Sequence, residues 1–218
     1  FLILNFLTFG YSVSFANSID STTFRDNPNY IQELSLFEVY RTKQADIVLL
    51  GDSNIKGADW GELLGRKNVV SRGVVSDVIE GYIARLNFVF NLEPKVVIIN
   101  GGLNDVYSWI PVEKIFQNYV QLIELIKKRN ITVVVQSTFH VIHSWPQAED
   151  RNKEIDKLNL VVEEYCKKNK IPFLNLTPMM SRNGSFKLEL TNSWGHINGR
   201  GYRIWADELD KLLLILGH

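Results

Sequence analysis

The stretch "ADIVLLGDSN" (residues 45–54) decides how the chain is read. Ile47, Val48, Leu49 and Leu50 follow one another without polar alternation. A strand covered on one face alternates apolar and polar; a strand covered on both does not. The run stops at Gly51, and the polar triplet Asp52, Ser53, Asn54 follows. A doubly covered strand therefore runs straight into a polar turn. The same design returns in "NVVSRG" (68–73), "KVVIINGG" (95–102), "ITVVVQS" (131–137) and "IPFLNL" (171–176).

The segments between these runs have helical spacing. An opening helix is expected over "YIQELSLFEVYRTKQ" (30–44), with Ile31, Leu34, Leu36, Phe37 and Tyr40 as its apolar positions. "DWGELLG" reads as a short helical turn, and "SDVIEGYIARLNFVFNL" (76–92) as one helix capped by Ser76. "PVEKIFQNYVQLIELIKKRN" carries Pro111 in its first turn and basic residues at its end. Long amphipathic patterns over 148–170 and 199–216 complete the set. Alternating helices and buried strands predict an α/β fold with three α/β/α layers and a five-stranded parallel sheet. In such sheets ligands bind beyond the C-terminal ends of the strands.

The chain has 218 residues, 45% of them apolar and 22% charged, with zero formal net charge. That suits one domain with a real core. No basic stripe points to nucleic acid, and no charge run points to a membrane surface. Cys166 is the one cysteine, so no internal disulfide forms; it reads as a small helix residue rather than a nucleophile. The start, "FLILNFLTFGYSVSFANS", is apolar and then small and polar, with Ser14 and Ala16 flanking Phe15. It resembles the apolar region and cleavage site of a secretory signal, whole or truncated. The expectation is an export segment over 1–18, one domain over 19–218, and a periplasmic or secreted protein, with a first strand or helix of a cytoplasmic protein as the alternative.

The strand ends carry the chemistry. Ser53 follows the first strand, either as a presented hydroxyl or as a simple helix cap. Its surroundings, G-D-S-N-I, are not the G-x-S-x-G nucleophile elbow. Gly73 ends the second strand and offers an unshielded amide. "NGGLND" (100–105) ends the third; Asn104 is an amide donor for an oxyanion, or a residue satisfying its own turn. "TNSWGHINGRGY" (191–202) places His196 before the last helix. His140 and His143 follow the fourth strand; they lack a third ligand for a metal and read as cleft or loop residues. Trp145 and Trp194 are walls for an apolar or sugar ligand, or packing.

Taken in order, "IVLLGDSN", Gly73, "GGLND" and "GHINGRGY" resemble the blocks of the SGNH (GDSL-type) hydrolase superfamily. The stretches "FEVYRTKQADIVLLGDS", "GRKNVVSRG" and "ARLNFVFNLEPKVVIINGGLND" are most similar to its bacterial acetylhydrolase and lysophospholipase branch. The resemblance implies a flavodoxin-like sheet and serine ester hydrolysis through an acyl-enzyme. It matches Ser53 to the nucleophile and His196 to the base. It matches the Ser53 N–H, the Gly73 N–H and the Asn104 amide to the oxyanion hole. Asp52, Asn54, His140, His143, Trp145 and Trp194 are then candidate cleft residues. The implied substrate is a small-molecule or carbohydrate acyl ester, with acetyl the favoured group. No metal, no cofactor and no obligatory membrane follow from it. A lysophospholipase or thioesterase is the alternative within the family.

Two positions depart from the pattern. Ser193 stands where the family usually has an Asp to orient the His ring, which leaves Ser193, a backbone carbonyl, Glu149 or Asp150 to do so. A catalytically impaired ligand-binding relative is the corresponding alternative. Ser76 stands where the branch often has Gly.

Overall fold

The structure, a computed structural model, describes residues 24–192 and 195–218. The expected export segment over 1–18 lies outside the described residues, as do Ser193 and Trp194. The elements run α1 (Pro28–Val39), β1 (Ile47–Gly51), α2 (Ser53–Lys56), α3 (Trp60–Leu64), β2 (Val69–Gly73), α4 (Ile79–Ala84), α5 (Asn87–Phe90), β3 (Val96–Asn100), α6 (Leu103–Tyr107), α7 (Val112–Lys127), β4 (Thr132–Gln136), α8 (Ala148–Lys168), β5 (Phe173–Leu174), α9 (Thr177–Met180), β6 (Ser181–Arg182), β7 (Ser185–Phe186) and α10 (Gly199–Ile215).

β1 to β5 form one parallel sheet in the order β2-β1-β3-β4-β5, the flavodoxin-like order, with helices on both faces. The pleat sorts the apolar runs. Val48, Leu50, Val97, Ile99, Val133 and Val135 meet α4, α7 and α8 on one face. Ile47, Leu49, Ile98 and Val134 meet Trp60, Trp205 and Leu209 on the other. β1 and β3 are buried throughout, which is why neither shows polar alternation. Cys166 is wholly buried, and burial pushes its thiol up to about 12, so it packs rather than reacts.

Three local readings change. The segment 76–92 is two short helices, α4 and α5, and Ser76 caps neither: it sits at φ 59° ahead of the Val78 N-cap. The cause is Asp77, whose carboxylate caps Val78 N–H and holds Arg85 at the break between the helices. In α1, Ile31 is 65% exposed while Tyr30 and Phe37 face inward. A short helix (α6) and a small antiparallel pair (β6–β7) lie in segments with no clear periodicity.

Register decides where a site can form. Gly51 is level with Gly73 on one side and with Asn100 on the other. The turns after β1, β2 and β3 therefore open at one edge. β1 is also where the strand order reverses, so a crevice forms beyond it.

Beneath that edge Trp205 packs edge-on against Trp60 (4.7 Å) and Phe139 (4.9 Å), wholly buried. Trp205→Ala is expected to lower unfolding free energy by about 3–5 kcal/mol in urea titrations. Trp205→Phe is expected to cost less, because the indole N–H has no acceptor among the described residues.

Candidate active site

Asp52 shapes the turn after β1. Its Oδ1 accepts the Asn54 N–H at 2.8 Å, which makes Asp52 the cap and Ser53 the first residue of α2. The capping role that Ser53 could have filled is already taken. Ser53 is half-buried, and its hydroxyl makes no hydrogen bond among the described residues. α2 is tied down by Tyr202, whose hydroxyl donates to the Asn54 carbonyl at 2.9 Å. Asn54 is itself buried, so it packs more than it lines a cleft.

The other oxygen of Asp52 faces Asn104. The Asn104 amide donates to Asp52 Oδ2 at 3.2 Å and to the Asp77 carbonyl at 3.0 Å. One side chain thus spans the turns after β1, β2 and β3. Asn104 is carried by α6, and α6 is held from behind by Asp105, whose carboxylate accepts Ile79 N–H at 3.2 Å.

The Gly73 amide has a different role from the expected one. In β2, Asn68 O accepts Ile47 N–H and Val74 N–H donates to Gly51 O, so even-numbered residues face β1. Gly73 N–H faces the free edge, where Ser71 Oγ accepts it at 3.3 Å. What Gly73 supplies is room: a Cβ there would lie 2.3 Å from Lys56 N in α2. Two amides on this turn, those of Val75 and Ser76, have no acceptor among the described residues, and Ser76 is held in the left-handed region.

His196 sits in a pinned hairpin. Asn192 N–H donates to His196 O at 2.8 Å, and His196 N–H donates to Asn192 Oδ1 at 3.1 Å. Asn198 caps α10 and donates to Glu189 O and Thr191 O. Gly195, at φ 78°, presses on the Trp145 ring, where a Cβ would lie 2.6 Å away. Trp145 in turn packs edge-on against Tyr107, the last residue of α6. Buried Arg151 stacks 3.8 Å over the Tyr107 ring and donates to the Tyr107 and Pro146 carbonyls. Trp145 is therefore a wall that also locates the His196 loop against α6.

The His196 ring is exposed and bonds neither to Ser53 nor to a carboxylate among the described residues. Glu149 and Asp150 both turn to Lys153, at 2.9 and 3.7 Å, so neither orients His196. His140 is buried with Nε2 2.8 Å from Asp156, and exposed His143 donates its N–H to Ser185 Oγ. The two histidines thus point to different partners. No group of three His, Cys, Asp or Glu suited to a metal occurs among the described residues.

Three buried carboxylates lie around Asn104, and one of them, Asp77, is paired with the buried Arg85 guanidinium. Burial pushes Asp52 up to about 6, and the nearby Asp77 charge adds to it. Burial pushes Asp77 up to about 6 against the pull of Arg85, and Asp105 up to about 7 against the Ile79 N–H. Arg85 donates to Asp77 at 2.7 Å, to Arg72 O at 2.8 Å and to Gly51 O at 2.9 Å. Sequence reading missed Asp77, Arg85, Asp105 and Arg151 as determinants. Two of them had a visible signal: Arg85 and Arg151 are charges placed on apolar helical faces.

A strand-end serine and an amide donor on the neighbouring turn lie together at one edge of an α/β sheet, and a pinned histidine loop precedes the last helix. The chain belongs to the GDSL-like lipase/acylhydrolase family, whose model matches residues 46–204. Among solved structures it is similar to a GDSL-like lipase from Bacteroides thetaiotaomicron. That match has 25% identity and a TM-score of 0.74, covering 86% of this chain and 98% of that one. A lipase/acylhydrolase from Enterococcus faecalis (22%, TM-score 0.66, 78% and 95% covered) shares the fold. So does an acetyl xylan esterase (20%, TM-score 0.62, 76% and 98% covered). The curated relatives are N-acylneuraminate cytidylyltransferases of Streptococcus agalactiae, 25% identical over 118 residues. That alignment takes 51% of this chain and spans 28% of those relatives.

Asp77→Asn strands the Arg85 charge in the interior. It is expected to destabilise by about 3–5 kcal/mol, measured by chemical unfolding at pH 8. The raised carboxylates also set a pH slope. Each holds its proton more tightly folded than unfolded, so its contribution is full below pH 3.8 and is lost as pH rises through about 6 to 7. Over pH 5–8 these groups are expected to make stability fall, and Asp105→Asn to flatten the fall; unfolding curves across that range check both.

Proposed function

We propose that the chain is a serine ester hydrolase that removes small acyl groups, acetyl above all, with carbohydrate esters as the favoured substrate class. Ser53 Oγ attacks the ester carbonyl, and neutral His196 takes its proton. The tetrahedral oxyanion is met by the Ser53 N–H, the Asn104 amide and the Ser76 N–H, the last in the role first expected of Gly73. His196 then protonates the departing alcohol. Water, deprotonated by His196, hydrolyses the acyl-enzyme and returns Ser53.

The observation that carries this reading is the Asn104 amide, held across the Ser53 turn by the Asp52 carboxylate and the Asp77 carbonyl. Asn104 has to release one of these bonds to serve an oxyanion. The contact to Asp52 is the longer of the two. The preference for small acyl groups draws on the family and on the aromatic Tyr107–Trp145 wall beside the His196 loop.

The test is turnover of aryl acetate, butyrate and octanoate esters, with fluorophosphonate labelling. Wild type is expected to hydrolyse the acetate best and to label at Ser53. Asn104→Ala is expected to lower kcat by about 10²–10³ with little change in KM. Ser76→Gly is expected to keep activity and to gain about 1 kcal/mol by relieving the left-handed backbone. Absence of both turnover and labelling sinks the hydrolase reading; a preference for octanoate moves it to the lysophospholipase or thioesterase alternative. Ser193→Asp restores the family carboxylate. A gain in kcat/KM would identify the wild type as a weakened triad, and no gain would mean that orientation is supplied elsewhere.

A further inference from the structure

The Arg72 side chain lies on the opposite side of β2 from Gly73 and is 4% exposed. Its Nε donates to Phe88 O at 3.2 Å and its Nη1 to Ser71 O at 3.0 Å. The guanidinium lies 4.8 Å from the Phe37 ring centroid and 5.8 Å from that of Tyr40. No carboxylate among the described residues pairs with it, and Nη2 has no protein partner there. Burial comes first and pushes its guanidinium down to about 10, and the Arg85 charge adds repulsion. A buried cation without a counter-charge is costly unless something supplies one.

Arg72 also lines a groove of about 660 Å³ along the free edge of β2, between α1 and the α2–α3 turn. That volume suits a small organic molecule. The other charges in the groove are already engaged. Lys56 pairs with Glu33, and Asp59 accepts the Glu62 N–H as the cap of α3. Arg72 is left as the cation, and Asp59 as the carboxylate, without an ion-pair partner among the described residues, with Tyr40 and Thr42 at the mouth.

We propose that this groove binds a small organic oxyanion, a carboxylate or a phosphate ester, through the Arg72 guanidinium fork. Either group presents paired oxygens to the planar donors of Arg. The groove lies at the sheet edge beyond Lys56, the last residue of the helix that Ser53 begins. The proposed site is therefore distinct from the Ser53 hydroxyl and does not depend on ester turnover.

Titration calorimetry of the full chain tests it, with glycerol phosphate and glucuronate as the anions and glucose as the neutral control. Saturable binding of an anion but not of glucose is expected, and the tighter of the two identifies the ligand source. Arg72→Gln is expected to weaken it by about tenfold or more, the scale of a charge-assisted bond, and Arg72→Lys to weaken it less. Thr42→Glu puts a like charge at the exposed mouth and is expected to weaken binding without shifting thermal unfolding; it decides the matter if Arg72→Gln does not fold. Ser53→Ala is expected to bind as wild type. No binding to wild type, binding unchanged in Thr42→Glu and the Arg72 variants, or loss of binding in Ser53→Ala overturns the proposal.

Discussion

The site end of the sheet depends on one buried guanidinium. Arg85 reaches the last carbonyl of β1, a carbonyl of β2 and the Asp77 carboxylate at the turn that follows. Both ends of the Arg85–Asp77 pair are fully buried. Such a pair is weak evidence for net stability, because removing two charges from water offsets most of their attraction. What it supplies is position. The Asp77 backbone carbonyl is the acceptor that aims Asn104, and Asp77 is held where it is by Arg85. A change at Arg85 therefore reaches the Ser53 turn directly at Gly51 O and also through Asp77 and Asn104 to Asp52, without touching the serine.

The same arrangement explains why three carboxylates are tolerated around Asn104. Each accepts at least one backbone N–H: Asn54 for Asp52, Val78 for Asp77 and Ile79 for Asp105. These bonds lower the cost of the charged forms but do not cancel burial, so all three hold protons well above the usual carboxylate range. The loops around Ser53 are thus built from groups that titrate near neutrality. Arg85 compensates Asp77 directly, while Asp52 and Asp105 have no cation as ion-pair partner among the described residues.

The layers and strand positions were legible because doubly covered strands leave an unmistakable apolar run, as in Ile47–Leu50 and Val96–Ile99. Ser53, Asn104 and His196 are weak signals one by one at strand ends or ahead of a helix; the order of the four blocks, through its resemblance to the SGNH superfamily, is what joins them. The break between α4 and α5 was not legible, since it is held by a buried side-chain pair, Asp77 with Arg85, rather than by backbone propensity. The Gly73 amide was misread for a related reason. Whether an N–H faces the neighbouring strand or the free edge depends on register, and register is a property of the paired strands. The Trp145 support of Gly195 crosses about fifty residues of sequence and leaves no local trace.

On the reading of His196 as the base, Ser193 raises a question of charge against orientation. A triad carboxylate does two things: it holds the ring in place and it stabilises the imidazolium. The His196 hairpin has its own source of position in the reciprocal Asn192 bonds, the Asn198 cap and the Trp145 wall. Losing the carboxylate then removes charge stabilisation from a base whose backbone is already located. In a serine protease, replacing that Asp by Asn left the geometry intact and still lowered turnover by about 10⁴, through the wrong ring tautomer. Backbone position alone therefore does not replace the carboxylate, because another acceptor has to fix the ring tautomer. Ring orientation and tautomer thus matter more than backbone position, which is why restoring the acid at Ser193 is more informative than removing the histidine.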